Sequence, residues 1–352
     1  MPNKTFPAVV SFDKSSNRSE AATDLATASS EEADYARHIA EAVDVQEIDT
    51  NLYMSKELWL PPGARGAFGG QIVAQALRAA FNTVPEEFHV HSLHSYFILP
   101  GNVEYPVVYQ VQRLRDGRSF ATRFITATQR GKAIFVSSFS FAKPDSTSIT
   151  LEHQSTMPDV PGPESLSSEY ERLQKVLEHH DLPPKYREHI ESRMEESAPI
   201  DYRNVHNPSP QEAFTGKIEA KDLQHRWFKT RGALSDDPRL HACIVAYASD
   251  SAFIGTAALA NGLAPRSIGM MASLDHSMWF HAPARADEWL LYEMQSPRTS
   301  EGRGVAFGRL YRQDGTLVAT TAQEGIVRLS RREQERRRKQ REDHVATAPS
   351  KL

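Results

Sequence analysis

Hydrophobic and polar positions change rhythm several times along the chain, and those changes divide it. From 71 to 81, QIVAQALRAAF keeps Ala and Leu at helical spacing with few polar residues, which predicts a buried helix. Strand-like runs follow at 89–99, 106–114, 119–129 and 133–142, separated by Pro-Gly, Asp-Gly and Arg-Gly signals that read as hairpins. Upstream, 51–60 has the character of a strand, and PPGARGAFGGQ turns sharply into the helix. The order then returns. PIDYRNVHNP and LQHRWFKTRGA read as strands, and Ile244 to Leu259 supplies a central helix whose start is placed at Ser249 or Asp250. Further strands are expected at 269–281, 288–296, 304–313 and 316–329. A long helix followed by an antiparallel meander is an α+β layer in which the sheet wraps the helix.

That return is a repeat. SLHSYFILP at 92–100 is echoed in SLDHSMWFHAP at 273–283, with His94-Ser95 against His276-Ser277. At a nearly constant offset Tyr109 meets Tyr292, Gln112 meets Gln295, Gly117-Arg118 meets Gly302-Arg303 and Gly131 meets Gly315. A shared order of weak matches implies duplication. The expected organisation is a disordered extension over 1–45, with a short helix around 33–43, and a first domain over 46–145. A charged helical linker over 146–198, a second domain over 199–330 and a basic tail over 331–352 complete it.

Composition narrows the chemistry. The chain has 352 residues, enough for about two domains, with 39% hydrophobic and 24% charged residues. A net charge of −4 makes no case for nucleic acid, and the basic tail, interleaved with Glu and Gln, reads as a solvated helix. Cys243 is the single cysteine, so neither a disulfide framework nor a cysteine zinc site is expected. No apolar run reaches the roughly 18 residues of a spanning helix, and no secretory signal opens the chain. The final Ser350-Lys351-Leu352 matches the peroxisomal address read by an import receptor.

No nucleophile elbow, P-loop, HExxH or GxGxxG is present, and the histidines show no metal-ligand spacing; no metal and no cofactor is expected. The Gly-rich turn at Gly69, Gly70 and Gln71 is either a tight strand-to-helix turn or backbone lining a ligand at a helix N-terminus. Only the second copy carries Asp250 at the helix start read there, where an ordinary N-cap is the alternative. Strict alternation over 269–281 puts Met271, Ser273, Asp275 and Ser277 on one face. Alternation over 317–323 puts Leu317, Ala319, Thr321 and Gln323 together, with Ser140 corresponding to Gln323 in the first copy. Each of Asp250, Ser273 and Gln323 alone has a structural use; together they form a candidate site from three elements of one copy. A Ser277-His276-Asp275 triad fails because neighbours on a strand point to opposite faces.

SLDHSMWFHAP, YASDSAF, FGGQIVAQAL, HSYFILPG and TAQEGIVR resemble the acyl-CoA thioesterase II family, the double hot-dog thioesterases, and in particular its peroxisomal members. The similarity spans about 46–330. It implies two hot-dog domains in one chain and a catalytic set carried by Asp250, Ser273 and Gln323. Gly69, Gly70, Gln71 and His276 are candidates for contact with substrate. The implied reaction is hydrolysis of acyl-CoA in the peroxisomal matrix by an activated water, with the chain a monomer or a homo-oligomer. Arg115, Arg118, Arg130, Arg298 and Arg303 are candidates for the CoA phosphates. Two alternatives stand beside it. One is a double hot-dog enoyl-CoA hydratase, whose D-x-N-P-x-H signature is missing around HNPSP at 206–210; the other is a non-catalytic acyl-CoA binder.

Overall fold

The computed structural model describes residues 20–144, 149, 151–178, 182–194, 198–209, 212, 218–263 and 267–347. The tripeptide Ser350-Lys351-Leu352 and the first 19 residues lie outside the described residues.

The first half begins with α1 (Glu20–Val43), β1 (Val45–Asp49) and β2 (Leu52–Ser55). It continues with α2 (Gly69–Phe81), β3 (His89–Phe97), β4 (Val108–Asp116), β5 (Phe120–Gln129) and β6 (Lys132–Ala142). A connection carrying α3 (Glu169–Leu177) and α4 (Pro184–Met194) leads to the second half. That half holds β7 (Ile200–Asn204), β8 (Leu223–Thr230), α5 (Pro238–Ser249), α6 (Gly255–Leu259), β9 (Ile268–Ser273) and β10 (Asp275–Phe280). Then come β11 (Leu290–Ser300), β12 (Arg303–Arg312), β13 (Leu317–Leu329) and the tail helix α7 (Arg331–Thr347).

The strands form one antiparallel sheet in the order β1-β2-β4-β5-β6-β3-β10-β13-β12-β11-β8-β7, with β9 also paired to β13. Each half wraps its share of the sheet around one central helix, α2 or α5, which is the expected α+β double hot-dog. Two hairpins use the two-residue turns Arg130-Gly131 and Glu301-Gly302, all four residues at positive φ. That backbone matches the twist of the flanking strands.

α2 is buried nearly all round, through Ile72, Val73, Ala76, Leu77 and Ala80. Its glycine start has a packing cause: a Cβ on Gly70 would lie 2.3 Å from the Tyr247 carbonyl oxygen of α5. At its other end Arg78 pairs with Asp237, so the two helices cross head to tail. Ile39 and Val43 of α1 complete this core. The expected disorder before residue 46 therefore gives way to an ordered helix from Glu20, because its last turns bury apolar side chains. The linker closes the outer face of the second half's share of the sheet, where Met157, Val160 and Leu166 pack on Trp227, Trp289, Leu291 and Tyr311.

Several expectations need correction. The second central helix spans Pro238–Ser249, opened by an Asp237 side chain that accepts the Arg239 amide, and it ends at Asp250 instead of starting there. Ala252 at φ +60° then breaks the chain before α6. The run 269–281 is likewise two strands. Ser273 lies across from Gly325 and Ser277 across from Ala322, which leaves one extra residue on this side, a β-bulge at Leu274. The bulge reverses the facing of the residues after it: His276, not Asp275 or Ser277, joins Ser273 on the inner side. Asp275 stitches the bulge, its Oδ1 accepting the Glu324 amide at 2.7 Å.

The seam between halves, β3 against β10, sets Ser95 opposite His276 and His94 opposite Ser277. The echoed dipeptides are thus one residue out of phase, with His276 buried and His94 exposed. The position matching Gln323 is Ser137, bonded to Ser95 at 2.8 Å, while Ser140 bonds His91. Leu317 leaves the row of Ala319, Thr321 and Gln323 for the outer tryptophan cluster, because β13 shifts register between Ala319 and Leu317.

Candidate active site

The polar cluster forms where the end of α5 meets the start of α2 over β10 and β13. Asp250 follows the last turn of α5, and its amide bonds back to Ala248. A carboxylate there faces the negative end of α5, unfavourable by about 0.3–1 kcal/mol. The compensation comes from the other half. A Cβ on Gly69 would lie 2.7 Å from Oδ2 of Asp250, so the carboxylate sits against the first turn of α2. Amides in a first helical turn have no intrahelical acceptor and carry the positive end of the dipole. Glycine is required at 69, since any side chain would collide with Asp250 and with Phe97, 3.0 Å away.

Gln323, 1% exposed on β13, donates from Nε2 to Asp250 Oδ1 at 2.7 Å and to His276 Nδ1 at 3.3 Å. Its Oε1 is buried and has no hydrogen-bond partner among the described residues. Leaving such an acceptor unpaired costs about 1–3 kcal/mol, and native structures leave few. His276 is fully buried and bonds Ser249 Oγ through Nε2 at 2.9 Å. The Ser249 hydroxyl donates to the Ala246 carbonyl at 2.9 Å. Burial holds the His276 pKa below its ordinary value, although Asp250 pulls the other way. Below the cluster, the Tyr292 hydroxyl donates to the Ser249 carbonyl at 3.0 Å and meets Thr321 Oγ1 at 2.8 Å; burial raises its pKa.

Ser273 shares the inner face with Gln323, diagonal to it across the β9–β13 pair, and its hydroxyl has no partner among the described residues. Gly325 opposite Ser273 keeps the space open, since a Cβ there would lie 2.5 Å from Ile254. Gln71 stands apart. Its side chain is consumed as a brace, accepting the Trp59 amide at 2.7 Å and donating to the Ala42 carbonyl at 3.0 Å. Gly69 and Gly70 contribute backbone alone. The cysteine takes no part: Cys243 is buried in α5, where burial pushes its thiol up to about 12.

Two family models match, the acyl-CoA thioesterase N-terminal domain over residues 56–142 and the C-terminal domain over 158–327. This chain belongs to the acyl-CoA thioesterase family. Mouse acyl-coenzyme A thioesterase 8 is 41% identical over 292 residues, covering 83% of this chain and 89% of that one. The yeast peroxisomal acyl-coenzyme A thioester hydrolase 1 is 27% identical over 305 residues, covering 76% and 87%. The crystal structure of an acyl-CoA thioesterase II from Mycobacterium marinum superposes with a TM-score of 0.64 at 34% identity, covering 84% and 98%. As a member of this thioesterase family the chain is a thioester hydrolase acting on acyl-CoA.

His276 was the residue whose place the sequence hid most. Strict alternation turns it outward, and the bulge at Leu274, unmarked by Gly or Pro, brings it to the inner face.

Proposed function

We propose that this thioesterase cleaves fatty acyl-CoA by direct attack of a water held between Asp250, Gln323 and Ser273. The observation that carries the reading is the Gln323 amide, whose nitrogen is committed to Asp250 and His276 while its buried oxygen is left open. An attacking water can donate one proton to Asp250 Oδ2 and direct its other toward Gln323 Oε1. A lone pair is then free for the thioester carbon. Ser273 anchors the same water. Asp250 takes the proton as general base, and the first amides of α2, at Gly69 and Gly70, face the developing oxyanion.

Collapse of the tetrahedral intermediate breaks the C–S bond. The leaving group resembles a cysteine thiol, with a pKa of about 8.5, so it departs as thiolate and recovers the proton from Asp250. Ala252, in the turn after Asp250, lines a separate open cavity of about 320 Å³ with Arg172, His225, Arg226, Leu259 and Met294, and none of Asp250, Ser273 and Gln323 borders it.

The test is Asp250→Asn, assayed by thiol release from a series of saturated acyl-CoAs. Turnover should fall about 10³-fold or more while the thermal transition holds. Wild-type kcat in that variant would remove Asp250 from the chemistry.

The reading also places the enzyme in the peroxisomal matrix, on Ser350-Lys351-Leu352 and on the compartment in the yeast relative's name. Deleting the three residues from a fluorescent fusion should return it to the cytosol; unchanged peroxisomal puncta would refute the address. All the proposed residues come from one chain.

A further inference from the structure

Asp250 alone does not explain which way the Gln323 amide faces, since a primary amide can present either end to a neighbour. On the premise that Asp250 and Gln323 hold the attacking water, we infer that His276 is a positioning residue whose Nδ1 lone pair fixes the Gln323 amide with its oxygen toward the site. Three commitments lead to this. The Ser249 hydroxyl proton goes to the Ala246 carbonyl at 2.9 Å, so Ser249 Oγ accepts from His276 Nε2 at 2.9 Å. That puts the ring proton on Nε2 and leaves Nδ1 as an acceptor. Nδ1 therefore receives the second proton of Gln323 Nε2 at 3.3 Å, the first being given to Asp250 Oδ1 at 2.7 Å. With both amide protons spent, Oε1 must point away from ring and carboxylate.

The surroundings keep the ring neutral. Of the groups packed about it, Asp250 at the end of α5 and Tyr292 on β11, joined through Ser249, are titratable. Ser95 of β3 and the Phe253 ring, edge-on at 5.9 Å, close the remaining sides without charge. Were Nδ1 protonated, it would repel Gln323 Nε2. The amide would turn over and bring Oε1 against the Asp250 carboxylate. The first half shows what is absent without this device: Ser95 and Ser137 meet at 2.8 Å, with no ring and no amide to orient.

Two variants separate positioning from plain packing. In His276→Asn the side-chain oxygen occupies the bond position of Nδ1 and can still accept from Gln323. In His276→Gln the amide reaches the position of Nε2, keeping the Ser249 link but losing the acceptor. The expected kcat stays within about threefold of wild type for Asn and falls about 10- to 100-fold for Gln, with KM within about twofold in both. The wild-type kcat should also carry an acid limb from ring protonation, shifted below the ordinary histidine range, that is missing in His276→Asn. Equal losses in the two variants, or wild-type kcat in His276→Gln, would overturn the inference.

If neither variant folds, ¹⁵N shifts of the wild-type ring decide. A bare Nδ1 with protonated Nε2 supports it; the opposite tautomer sinks it. An inactive Asp250→Asn beside symmetric His276 variants would defeat only this inference, whereas an active Asp250→Asn defeats the premise.

Discussion

The two central helices end differently, and on the proposed mechanism the difference separates a part kept for stability from a part kept for chemistry. Past the last turn of α2, Arg239 donates to the carbonyls of Phe81, Val84 and Pro85, at 3.0, 3.2 and 2.6 Å. A cation beside the carbonyl end of a helix suits the dipole. Past the last turn of α5 stands the carboxylate of Asp250, with the opposite sign. The sheet beneath repeats the contrast, Ser95 and Ser137 against His276 and Gln323. A half that follows every local rule has no orphaned group at this position. The other half breaks the dipole rule and leaves the Gln323 oxygen without a partner among the described residues, and sites that break such rules are where function is found.

Making the second half like the first should have the largest effect. Gln323→Ser should cut kcat by about 10²- to 10³-fold, because the donor to Asp250 and the open acceptor go together. Its thermal transition should stay within a few degrees of wild type, since a buried unpaired oxygen leaves too; retained turnover would show the amide to be ornamental. The converse change acts on stability. Arg239→Ala should lower it by about 1–2 kcal/mol through lost bonds to Phe81, Val84 and Pro85 at and just past the end of α2, with kcat unchanged. A denaturant titration beside the thiol assay reads both, and loss of activity without loss of stability would blur the division.

The smallest effect concerns pH. The His276 pKa is depressed in the folded protein, so the unfolded chain binds the proton first. Stability from this group is full above about 6.5 and is lost as pH falls from there through the lower folded value. The fall in melting temperature between about pH 7.5 and 5.5 should be shallower in His276→Asn, and equal slopes would place the titrating group elsewhere.

Much of this was readable in the chain. Apolar periodicity located α2 and the strands of both meanders because hairpin turns and half-buried faces write themselves into residue type. The repeat was visible because both halves keep similar aromatic and glycine positions. Two breaks were not. YASDSAFIGTAALA runs on as a helix by composition, and the chain is cut by Ala252 in a left-handed conformation that no local preference announces. At Leu274 an apolar residue sits in the bulge, where glycine or a polar residue would have been the signal. Asp250 and Gln323 were singled out from their residue types and elements, but with Asp250 at the wrong end of its helix. Their mutual contact depended on both hidden breaks.

The glycine turn that opens α2 lies in the first half, yet it packs against the carboxylate of the second. Splitting the gene between 146 and 198 should therefore yield two inert fragments that regain hydrolysis only when mixed, each a cripple carrying the other's missing piece.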